Sequence, residues 1–75
     1  MSYLNITQRA NVVGIKTKIF DVQSIAGDTL GVISFRPQWR KFVFTPAPGT
    51  LYDAGCLREI ADFEEQQTQY WRNSL

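Results

Sequence analysis

Apolar and polar positions alternate through Ile15-Lys16-Thr17-Lys18-Ile19, inside a β-branched run that starts at Val12 and ends at Val22. A half-buried strand needs that period of two, so strand one is predicted over residues 12–22. Ala26-Gly27-Asp28-Thr29 supplies turn residues, and Leu30-Gly31-Val32-Ile33-Ser34-Phe35 follows as strand two of a hairpin. Pro37 holds φ at about −65°, which suits the second position of a type I turn over Arg36-Pro37-Gln38-Trp39. The chain reverses there. Trp39 to Thr45 then reads as strand three, ended by the two prolines of Pro46-Ala47-Pro48-Gly49.

The period changes after Asp53, whose carboxylate is placed to cap a helix beginning at Ala54. Cys56, Leu57, Ile60, Ala61 and Phe63 recur at intervals of three and four as an apolar stripe, while Arg58, Asp62 and Glu65 point elsewhere. The stripe weakens through Glu64 to Gln69, yet Tyr70 and Trp71 return on helical spacing, so the last turns either leave the domain or dock by their aromatics. Residues 1–9 carry no sustained period. The expected organisation is a flexible N-terminal arm over 1–10, with a short edge segment as its alternative, and a single βββα domain over 11–75. The fold class is α+β, a three-stranded antiparallel meander followed by one C-terminal helix packed on one face.

Within each strand the alternation separates Leu30 and Val32 from Ile33 and Phe35, Ile15 and Ile19 from Phe20 and Val22, and Trp39, Lys41, Val43 and Thr45 from Arg40, Phe42 and Phe44. Large apolar groups then stand on both faces, and one helix covers one. At about 1.5 to 3 kcal/mol per large side chain, leaving three of them wet forfeits much of a stability of about 5 to 15 kcal/mol. The expectation is therefore a cover over the second face. A second copy in a homodimer is favoured, with the arm or a partner macromolecule as alternatives.

Composition narrows the chemistry. A chain of 75 residues with 44% hydrophobic and 20% charged residues belongs with globular domains rather than disordered ones. Cys56 is the single cysteine and histidine is absent, so an internal disulfide is impossible and the common zinc sites lack ligands. No metal or cofactor is expected. No apolar run approaches the roughly 18 residues that span a bilayer, and the start lacks a secretory pattern, which predicts a cytoplasmic protein without membrane association. The net charge of +1 hides a division: Arg9, Lys16, Lys18, Arg36, Arg40 and Lys41 face two acids in residues 1–41, whereas Arg58 and Arg72 face five in residues 42–75. Such a polar axis steers anionic ligands or aligns partners.

Four aromatics and three cations crowd the stretch from Phe35 to Phe44. Trp39 with Arg36, Arg40 and Lys41 forms the candidate ligand-binding site, since an indole stacks on a flat base while cations hold phosphate. The plainer alternative puts Trp39 in the core and the cations along a sheet edge. Phe35, Phe42 and Phe44 read as core, because the glycine-punctuated signature of aromatic RNA-binding sheets is missing. Glu59, Asp62, Glu64 and Glu65 are a candidate acidic face for a partner, or the solvated side of a helix. Cys56 has no histidine to act as its base and reads as a small buried apolar group. With no convergent acid and base, no catalytic residue is assigned and an enzyme is not expected.

From Leu30 to Phe63, LGVISFRPQWRKFVFTPAPGTLYDAGCLREIADF resembles a group of short bacteriophage and prophage accessory proteins. The shared features are Trp39-Arg40, Phe42 and Phe44 on alternate residues, Pro46, and Cys56-Leu57 followed by Ile60 and Phe63. The resemblance implies a phage-encoded binder in the host cytoplasm that counters a defence system by occupancy, sequestering a nucleotide messenger or blocking a host defence protein. The alternative is a single-stranded nucleic-acid-binding protein of phage replication or transcription. A structural subunit of a larger phage assembly is a third possibility.

Overall fold

Four segments pair in the computed structural model, which describes residues 4–9 and 18–74. Leu4–Gln8 (β1), Phe20–Ser24 (β2), Thr29–Arg36 (β3) and Lys41–Pro46 (β4) form one antiparallel sheet in the order β1-β2-β3-β4, and Ala54–Asn73 forms the helix α1. The α+β class and the C-terminal helix are as the sequence implies, but the sheet has four strands rather than three. The additional one falls within the stretch expected to be an arm or, as its alternative, a short edge segment, and it forms an edge strand. Leu4-Asn5-Ile6-Thr7-Gln8 does alternate, but over five residues that is too little to stand out as a period. Its partner is β2, with Ile6 opposite Val22 and Thr7 opposite Asp21.

Strand one of the sequence reading extended over residues 12–22. Residues 12–17 of that span lie outside the described residues, and β2 begins at Phe20 and runs on to Ser24. Its end is set by local hydrogen bonds: the Ser24 amide donates to the Asp28 carbonyl at 2.8 Å, and the Asp28 amide donates back to the Ser24 hydroxyl at 3.0 Å. Gly27 sits between them at φ +97°, a backbone state that glycine takes without steric cost. At the next reversal the Trp39 amide donates to the Arg36 carbonyl at 3.1 Å and the Arg40 amide to the Pro37 carbonyl at 3.3 Å. Strand β4 therefore starts at Lys41, and Trp39 and Arg40 belong to the turn instead of the strand.

Register gathers the large aromatic side chains of the described strands on one face. Phe20 pairs with Ile33 and Ile33 with Phe44, while Phe35 pairs with Phe42. Cross-strand partners share a face, so Phe20, Val22, Ile33, Phe35, Phe42 and Phe44 all project to the same side. The helix lies on that side, where Ile60 joins Leu4, Phe20, Val22, Ile33 and Phe42 in the buried core. The opposite face carries Asn5, Thr7, Asp21, Gln23, Ser34, Lys41 and Thr45, and alternation adds the half-buried Ile19, Leu30, Val32 and Val43. The large aromatic groups of the described strands thus share the helix side, and aliphatic side chains make up the apolar part of the other face.

Asp53 caps α1 as its position implies, accepting from the Cys56 amide at 2.8 Å. The stripe on the helix is rotated from the expected one. Ile60 is buried and Cys56 and Phe63 are half-buried, whereas Leu57 and Ala61 are exposed. Thr68 and Trp71 continue the buried side toward the C-terminus, so the last turns dock on the sheet. Tyr52, just before the helix, closes the other end by donating its hydroxyl to the Leu30 carbonyl at 2.5 Å and resting against Phe44.

Candidate functional site

The β3–β4 turn gathers the four residues proposed from sequence as the ligand site. Arg36 ends β3 and Lys41 begins β4 directly opposite it. Pro37 and the backbone bonds of the turn bring Trp39 back beside Arg36, whose guanidinium carbon lies 4.9 Å from the indole centroid. Arg40 follows at φ +53°. That left-handed state costs an ordinary residue roughly 1 to 2 kcal/mol, and a glycine or asparagine would adopt it more easily. The turn thus holds a cation where local sterics favour a smaller residue.

Trp39 is 60% exposed, which places it outside the core and sets aside the plainer reading of its role. Arg36, Arg40 and Lys41 are exposed as well. Among the described residues the ion pair is elsewhere, between Arg9 and Asp21. Arg36 thus lies over an exposed indole, and the exposed Arg40 and Lys41 follow it in the chain, an arrangement able to stack on a planar group and neutralise its charge. No family model matches the chain, and comparisons with curated proteins and with solved structures return no match.

The four carboxylates proposed as one acidic face divide between two flanks of α1. Glu59 and Asp62, with Gln66, border a groove of about 470 Å³ beside β1 that is floored by Leu4, Ile6 and Phe63. Glu64 and Glu65 border a second groove of about 370 Å³ beside β4, together with Lys41, Thr68, Gln69 and Arg72. Desolvation, with the neighbouring charge of Glu65, raises the Glu64 carboxyl above its ordinary value. Arg72 is the cation that sequence reasoning passed over. Its distance of 31 positions from Lys41 conceals that the docked helix end brings both to one groove.

Cys56 is half-buried, and its thiol is pushed up, first by hydrogen bonding to the Asp53 carboxylate and then by burial and by the charge of Asp53. An activated nucleophile needs the opposite shift. Among the described residues no cluster of three or more acidic or cysteine side chains is arranged to hold a metal ion, and no helix is long and apolar enough to cross a membrane.

Proposed function

We propose that this protein is a small binding module, without catalysis, that captures a nucleotide at the β3–β4 turn. In the setting its phage resemblance implies, it counters host defence by occupancy, sequestering a nucleotide messenger in the host cytoplasm. The observation that carries the reading is the exposed Trp39 with Arg36 stacked on it, beside Arg40 and Lys41. A soluble domain gains nothing in folding from an indole left 60% in solvent, whereas a base stacking on its free face would gain from the contact. Phosphate oxygens would meet Arg40 and Lys41, with Arg36 held as a rigid planar donor by the indole itself.

Single-stranded nucleic acid is the second reading, favoured by the openness of the turn: every residue from Arg36 to Lys41 is exposed, so a continuing strand can enter and leave. Blocking a defence protein through Glu59, Asp62, Glu64 and Glu65 has less support, because two flanks of the helix share them.

Titration with cyclic dinucleotides and with short oligonucleotides at about 50 and 200 mM salt separates the readings. A nucleotide binder is expected to show quenching of Trp39 by the dinucleotide, lost in Trp39→Ala and Arg36→Gln while the unfolding midpoint stays in place. A strand binder is expected to prefer the oligonucleotide and to weaken steeply with salt. Binding that survives both substitutions, or no binding to either probe, overturns the assignment of the turn.

A further inference from the structure

Turn and groove meet at Lys41. That residue pairs across the ladder with Arg36, whose guanidinium lies against Trp39, and it also borders the groove of about 370 Å³ between β4 and α1 with Glu64, Glu65 and Arg72. The helix sorts the charges in that groove. Thr68 is pinned next to the start of β4, because its hydroxyl accepts from the Phe42 amide at 3.0 Å. Arg72 stands one helical turn from Thr68, about 6 Å along the axis, toward the end where Trp71 meets Phe35, and Glu64 stands one turn the other way. The cations therefore lie nearest the β3–β4 turn and the carboxylates farther along the groove.

Among the described residues the ion pair is Arg9 with Asp21, so none of these four groups is ion-paired with another. A ligand offering phosphates alone suits the near end of the groove and is repelled at the far end by Glu64 and Glu65. A neutral hydroxyl reverses that preference, since a carboxylate accepts from it in a charge-assisted hydrogen bond. Desolvation already disfavours the charge on Glu64, and a hydroxyl donor would relieve that cost. Building on the reading of the turn as a nucleotide site, we propose that its ligand is a ribonucleotide of at least two units. One base stacks on Trp39, the linking phosphate passes between Lys41 and Arg72, and the sugar of the next unit donates its 2′-hydroxyl to Glu64 and Glu65. That hydroxyl is what distinguishes ribose from deoxyribose, and a carboxylate is a familiar acceptor for it. A groove of about 370 Å³ is close to the lower limit of about 300 Å³ for small-molecule clefts, which suits one unit of a longer ligand.

The test is calorimetric titration of the full chain, at one fixed salt concentration, with 3′–5′-linked cyclic diadenylate and cyclic diguanylate, each in its ribose and its 2′-deoxyribose form, and with AMP and GMP as single units. The ribose form is expected to bind about tenfold more tightly than its deoxy counterpart, the value of one charge-assisted hydrogen bond. The double variant Glu64→Ala, Glu65→Ala keeps the helix, which alanine favours, and should remove that difference by weakening the ribose form alone. Arg72→Gln should weaken both cyclic forms and leave the single units unchanged. The proposal is overturned by equal affinity for the two sugars in the parent protein, by a preference that survives the double alanine variant, or by cyclic ligands indifferent to Arg72→Gln. In each of these cases binding that Trp39→Ala abolishes leaves the turn standing as a nucleotide site. Absence of binding to every probe removes the turn and the groove together.

Discussion

Trp71 lies against Phe35 with ring centroids 4.6 Å apart, and through that contact the last turn of α1 is fastened to β3, a middle strand of the sheet. Phe35 in turn meets Phe42 at 5.5 Å, so the indole extends an aromatic chain that begins in the core. The second indole, Trp39, touches none of it and stands 60% exposed. The two tryptophans are expected to respond oppositely to truncation. Trp71→Ala removes a half-buried aromatic and should lower stability by about 2 to 3 kcal/mol, below the 3 to 5 kcal/mol of a fully buried one. Trp39→Ala should stay within about 0.5 kcal/mol of the parent. Urea unfolding followed by far-UV circular dichroism, which does not depend on either indole, checks both. Comparable losses would mean that the exposed turn is part of the folding core.

Thr68 is a polar residue in a buried position, 8% exposed, and its hydroxyl accepts from the Phe42 amide. Thr68→Val keeps the shape and leaves that amide without its acceptor, a penalty of about 1 to 3 kcal/mol. Thr68→Ser keeps the acceptor and loses a methyl group, so it should cost about 1 kcal/mol or less. The valine variant should also speed exchange of the Phe42 amide. If valine proves the milder change, the hydrogen bond is not what holds the helix to the β4 edge.

Local chemistry made some elements plain from sequence and left others hidden. The Asp53 cap, the Pro37 turn and the helix start at Ala54 each follow from a short-range interaction that the residues announce by type. Whether the sheet was greasy on one face or two depended on register between strands, which alternation inside each strand does not contain. Phe20, Ile33 and Phe44 fall on one face because they pair, and only the pairing says so. Trp39, Arg36, Arg40 and Lys41 are close in sequence, so their cluster was legible. The grooves were not, since Lys41 with Arg72 and Ile6 with Phe63 are joined by the docking of the helix.

Gly31 marks a place where the sheet admits no side chain. A Cβ built there would overlap the Thr45 carbonyl and come within 2.7 and 2.8 Å of two Phe44 ring carbons. The carbonyl belongs to a paired strand and cannot retreat without breaking the ladder. Gly31→Ala should therefore cost about 1 to 3 kcal/mol, the range for forcing added volume into a packed site. Gly27→Ala meets no atom within 4 Å and should cost only the strain of its positive φ, about 1 kcal/mol. The order of the two unfolding midpoints is the check, and a reversal would show that β4 gives way easily at Thr45.

Acid should act on this protein through carboxylates that pull in opposite directions. The hydrogen bond from Arg9 holds Asp21 below its ordinary value, and hydrogen bonding from the Cys56 amide does the same for Asp53. A lowered folded-state value means stability that is present above the unfolded value of about 3.9 and is lost as pH falls through the folded one. Glu64 runs the other way: desolvation and Glu65 raise it, so the folded state favours its protonated form, an advantage present below about 4.3 and lost as pH rises through the raised value. At pH 7 the ionised Glu64 is thus a small liability. Urea midpoints measured from pH 7 down to about 2.5 should fall most steeply below pH 4 in the parent, and less in Asp53→Asn, whose cap no longer titrates. Glu64→Gln should be the more stable protein at pH 7 and converge with the parent in acid, where the carboxyl is neutral and resembles the amide. A difference that persists unchanged to pH 3 would locate the effect in the shape of the side chain instead of its charge.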